Sequence, residues 1–117
     1  MVELSGVSFG YQSDKNVLDN LNLRMEEGRF YGLLGMNGSG KTTLLKLIAG
    51  KLFAHGGEIY VDGRNLRERD VETLQKVFML PADFIFPNMS LEQFLAIYSE
   101  FYPEFRKEVL NDCLVNF

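Results

Sequence analysis

Residues 35–43 read GMNGSGKTT, set between the apolar runs RFYGLL and LLKLIAG. Three glycines, a lysine and two threonines at this spacing fit G-x-x-x-x-G-K-[ST], the phosphate-binding P-loop. A loop that wraps a phosphate must bring backbone N–H groups to hydrogen-bonding distance from its oxygens. Side chains obstruct that approach, so Gly35, Gly38 and Gly40 supply room and unusual dihedrals. A helix starting near Lys41 would aim its free N–H groups and positive dipole end at the anion. Lys41 would reach the terminal phosphates, and the Thr42 hydroxyl is placed to ligate Mg²⁺. Thr43 can bond the chain on the α-phosphate side.

Working outward, VELSGVSFGY and VLDNLNLRM alternate as two strands, and residues 26–28 (EEG) turn the chain. Residues 29–34 are short and nearly all apolar, which predicts a strand buried on both faces. Residues 41–49 form a helix with leucines around much of its circumference, and Gly50 stands at its C-terminal cap position. GGEIYVDG is a strand closed by the turn signal Asp62-Gly63. Residues 69–76 could form a short helix, residues 77–80 read as a four-residue apolar strand, and residues 81–89 as loop. Ser90 with Gln93 has the capping-box spacing. Leu91, Phe94, Leu95, Tyr98 and Phe101/Tyr102 then mark an amphipathic helix, which Pro103 breaks before a last one at residues 105–117.

The 117 residues allow one domain. Hydrophobic residues make up 46%, ordinary for a globular core. The net charge of −4 argues against a general nucleic-acid binder, which carries a basic face. One cysteine, Cys113, excludes an internal disulfide and fits a cytosolic setting. No apolar run approaches the roughly 20 residues that span a bilayer.

With these residues in place, the chain resembles the ATP-binding domain of ABC transporters. Two strands precede the P-loop. VSFGY ends on Tyr11, matching the family's aromatic residue that stacks on adenine. GxNGSGKTTLLKLIAG followed by GGEIYVDG resembles the family's text closely. VFMLPADFIFPNMSLEQFL resembles its Q-loop and the start of its helical subdomain. The implied fold is α/β: a P-loop NTPase core, an N-terminal antiparallel β-subdomain and the beginning of a helical subdomain. Residues 1–34 and 57–63 would supply the β-subdomain and core strands. Residues 35–50 would be the P-loop and its helix, 77–89 a strand and Q-loop-like segment, and 90–117 the helical start. The resemblance implies ATP and Mg²⁺ held by Tyr11, Gly35, Asn37, Gly38, Ser39, Gly40, Lys41, Thr42 and Thr43, with Thr42 on the metal. It also implies a second ATP-binding domain in a dimer, a transmembrane subunit, and a place on the cytoplasmic face of the membrane.

Hydrolysis needs more than this loop: a carboxylate for Mg²⁺ and a residue that orients the attacking water. No LSGGQ-like signature is present. Asp62 ends an apolar strand but Gly63 makes it a turn, and Asp83 follows Pro81 and Ala82 out of the strand. His55, the one histidine, reads as a solvated loop residue. Ala82 stands where the family has the Q-loop glutamine. The chain therefore reads as the N-terminal part of an ABC-type ATPase, cut before the signature and catalytic carboxylates, as the abrupt apolar end at Phe117 also suggests. On this expectation it binds ATP-Mg weakly and does not turn over. Phe84, Ile85 and Phe86 are candidates for either core or a membrane-subunit contact. A soluble ABC ATPase, a P-loop kinase and a nucleotide-responsive module without catalysis stay open.

Overall fold

The computed structural model describes residues 1–83, 85 and 87–116. The chain divides into two compact units, Met1–Met79 and Leu80–Phe117.

The first unit is built on a four-stranded antiparallel sheet in the order β2-β1-β3-β4. The strands are β1 (Val2–Phe9), β2 (Leu18–Met25), β3 (Gly56–Val61) and β4 (Arg64–Asn65). Helix α1 (Lys41–Ile48) follows the glycine-rich loop, and α2 (Val71–Gln75) follows β4. Leu4, Val7 and Phe9 from β1, Ile59 and Val61 from β3, Leu66, and Leu44 and Leu47 from α1 form one buried cluster. Side chains alternate faces along a strand, so Leu4 and Val7 should point opposite ways. They share the core because β1 is irregular between them: Gly6 takes φ 60° and the register to β2 shifts. An extra residue at such a bulge flips the side-chain parity.

Asp62 and Gly63 take φ 49° and 79° between the paired residues Val61 and Arg64. Two positive φ values in a two-residue hairpin define the turn that Asp-Gly favours. At the end of α1, Gly50 takes φ 65°. Its N–H bonds the Leu47 carbonyl at 3.0 Å and the Lys51 N–H bonds Lys46 at 2.9 Å. This double bond pattern is the Schellman C-cap, satisfying carbonyls the helix leaves open. Arg69 reinforces the same end, donating from Nη1 to the Gly50 carbonyl at 3.1 Å.

Two expected strands do not form. Residues 29–34 carry no strand, and Phe30 and Leu34 are 105% and 93% exposed. A doubly buried strand requires neighbours on both edges and layers on both faces. The four strands of this sheet lie elsewhere and provide neither. Residues 77–80 likewise form no strand, and Phe78 and Leu80 are exposed. Helix α1 is also buried on a narrower face than its leucines suggest. Leu45 is exposed, whereas Thr43 is buried beside Leu44 and Leu47.

In the second unit, Ser90 caps α3 (Leu91–Tyr98). Ser90 Oγ accepts from the Gln93 N–H at 3.2 Å, while Gln93 Oε1 accepts from the Ser90 N–H at 3.0 Å. The expected capping box is thus complete. Phe94 and Tyr98, one turn apart, stack with ring centroids 4.1 Å apart. A 3₁₀ turn at Ser99–Phe101 ends this segment, and α4 (Lys107–Asn116) begins beyond Pro103. The expected apolar cluster at residues 84–86 falls on Phe84 and Phe86, outside the described residues; Ile85 is exposed.

Candidate functional site

The glycine-rich loop is positioned by its helix and by the start of β2. Met36, Asn37, Gly38 and Ser39 form a turn closed by the Ser39 N–H on the Met36 carbonyl at 3.2 Å. Gly38 takes φ 83° at the third position, a value that suits glycine in a type II turn. Gly40 takes φ 90° immediately before α1. A Cβ on Gly40 would lie 3.0 Å from Leu18 Cδ2 and 3.1 Å from Val17 Cγ1. The junction of loop and helix is therefore seated against β2, and glycine is required there for both conformation and space.

Glycine at this position brings no capping side chain, and the first turn of α1 carries no acidic residue. The first helical bond runs from the Leu44 N–H to the Gly40 carbonyl at 2.8 Å. The N–H groups of the first turn have no carbonyl within the helix to meet, and they add to the positive end of its dipole. Lys41 folds back over the loop. Its ammonium donates to the carbonyls of Gly35 and Met36, each at 2.7 Å. A Cβ on Gly35 would lie 2.7 Å from Ser39 Oγ and 3.8 Å from Lys41 Cδ. The structure thus brings Gly35, Met36, Ser39 and Lys41 into contact, with Asn37, Gly38 and Gly40 in the same loop and Thr42 and Thr43 in the first helical turn. Thr42 is exposed there, and Thr43 is buried.

Tyr11 lies at the same end of α1. Its hydroxyl is 3.2 Å from Thr43 Oγ1, and its ring meets Phe9 edge-on with centroids 5.1 Å apart. The ring remains largely open to solvent. Sequence reasoning placed Tyr11 near the site but had no signal for the Thr43 contact. It also read His55 as simply solvated; the residue is exposed, and its ring lies 5.1 Å from Phe9 at a 39° tilt.

The two aspartates considered for metal have other settings. Asp62 pairs with the N-terminal ammonium and with Lys76 at 3.2 Å, and these hydrogen bonds, the ammonium's first, hold its carboxyl below the usual range. Asp83 is exposed, as is Ala82, which carries no polar side chain. Among the described residues no group of three or more His, Cys, Asp or Glu is arranged to hold a metal. Nor is any helix among them long and apolar enough to cross a membrane.

An uncapped helix start, an arched glycine loop and a lysine folded over it define a P-loop fold. A family model described as "ABC transporter" matches residues 18–113, and the chain belongs to that family. Among solved structures, it is similar to an ATP-binding subunit of an ABC transporter, at 25% identity and TM-score 0.78, covering 92% of this chain and 45% of that one. It is also similar to a Pyrococcus furiosus protein described as an ABC transporter ATP-binding protein, at 36% identity and TM-score 0.68, covering 86% and 48%. A third is a dimeric ATP-binding cassette in a post-hydrolysis state with ADP and Pi bound, at 34% identity and TM-score 0.56, covering 65% and 34%. The chain spans less than half the length of each of these structures.

Proposed function

We propose that this chain is the N-terminal part of an ABC-type ATP-binding domain, and that it holds the phosphates of ATP-Mg at residues 35–43. The observation that carries this reading is Lys41 folded over the loop, with its ammonium on the Gly35 and Met36 carbonyls. It stands beside a helix start that has neither a capping side chain nor a carboxylate. A polyphosphate would exchange the lysine's carbonyl partners for charged oxygens, which make the stronger hydrogen bonds. Backbone N–H groups of Gly38, Gly40 and Lys41 would surround it, and the Thr42 hydroxyl would complete the shell of Mg²⁺ held chiefly by phosphates and water. Tyr11 would offer its open ring to adenine.

In the full-length parent, ATP hydrolysis would drive transport through a membrane partner, with two such domains forming a dimer at the cytoplasmic face of the membrane. The dimeric relative supports the pairing. The exposed apolar residues Phe30, Leu33, Leu34, Phe78 and Leu80 fit a sheet completed by further chain. Signature and catalytic carboxylates would come with that remainder. Linked phosphate release on the purified chain tests this division. The account expects no turnover; sustained turnover near 1 s⁻¹, abolished by Lys41→Ala, would contradict it. A second reading, a nucleotide-responsive module without turnover even at full length, draws on Ala82. Turnover by the full-length parent would exclude it.

A further inference from the structure

We infer that Tyr11 is a positioning residue for phosphate binding, acting through its hydroxyl on Thr43 and independently of any contact with a base. The inference rests on the P-loop reading above.

The geometry leaves Tyr11 little freedom. Its ring is set edge-on, at 87°, against Phe9, which is itself buried in the core. Gly10, between the two aromatics, admits no side chain: a Cβ would fall 2.2 Å from the Lys15 carbonyl oxygen and 2.9 Å from that of Gln12. The loop after β1 therefore closes tightly on itself, with Gln12 and Lys15 bridged, and presents Tyr11 at one place. There Tyr11 is 62% exposed, yet its hydroxyl reaches Thr43, which is 6% exposed.

Thr43 lies in the first turn of α1, whose free N–H groups would face an anion, and its side chain is buried. A hydroxyl has one proton to donate and two lone pairs to accept with. If Tyr11 donates to Thr43 Oγ1, the threonine's own proton is left for a phosphate oxygen, and the chain of two hydroxyls strengthens that donation. The phenol would thereby hold the Thr43 hydroxyl in one place. Tyr11 would thus raise affinity for the polyphosphate itself. A residue serving only as a stacking platform would raise affinity for the base alone.

Two ligands separate these roles: Mg-ATP and Mg-tripolyphosphate, which has no base. Titration calorimetry on the chain and its variants reads both. Tyr11→Phe keeps the ring and removes the hydroxyl. It should weaken both ligands by the same factor, about 3- to 10-fold, the worth of one neutral hydrogen bond. Tyr11→Phe added to Thr43→Val should weaken binding no further than Thr43→Val alone, because the pair acts as a unit. Wild-type tripolyphosphate affinity in Tyr11→Phe would overturn the inference while leaving the P-loop reading intact. Failure of the wild-type chain to bind either ligand would overturn both.

Discussion

The α-carbon of Gly57 lies against the Gly6 carbonyl so closely that a Cβ would fall 2.4 Å from its carbon and 2.4 Å from its oxygen. Both glycines take positive φ, 75° and 60°, where β3 and β1 lose register. Gly57→Ala adds a clash with backbone, which cannot rotate away, to a conformation that alanine resists. It should cost at least about 2–3 kcal/mol. Denaturant unfolding of the variant checks this, and a Gly57→Ala chain as stable as wild type would contradict the strand geometry.

Acid should weaken the first unit through two aspartates. Asp70 caps α2, its Oδ2 accepting from Arg64 at 2.7 Å and from the Thr73 N–H and hydroxyl at 3.1 and 3.0 Å. The Arg64 bond first, then Thr73, holds its carboxyl below the usual range; Asp62 is lowered by the N-terminal ammonium and Lys76. A lowered folded-state pKa gives stability that is full above the ordinary carboxylate value, about 3.9. It is lost as pH falls through the lower folded value. Thermal melts from about pH 6 to about pH 2 should therefore show a decline that is smaller in Asp70→Asn and Asp62→Asn than in wild type.

Ser90→Ala removes one half of the capping box at α3. It should cost that helix about 0.5–2 kcal/mol. Amide exchange at residues 91–95 reads the effect locally; protection equal to wild type would show that the helix start is held otherwise.

These features differ in how far the sequence revealed them. The Asp62-Gly63 turn, the Gly50 cap and the Ser90–Gln93 box were legible because each is set by residues a few positions apart. The loop at residues 35–43 was legible for the same reason: its glycines meet local demands at Gly38 and Gly40. The runs at 29–34 and 77–80 were misread as strands. An apolar run reports that burial would be favourable, but strand formation needs partner strands that a local window cannot supply. The Tyr11–Thr43 contact, 32 residues apart in the chain, left no local signature either.

The central claim is a polyphosphate site built around Lys41. Its most direct test is the affinity of the purified chain for Mg-ATP, measured by calorimetry beside Lys41→Ala and with melting curves for both. The account predicts that the wild-type chain binds, and that Lys41→Ala binds about 10- to 100-fold more weakly with unchanged melting, the loss expected for a charged hydrogen-bond donor. Equal affinity in the two chains would contradict it.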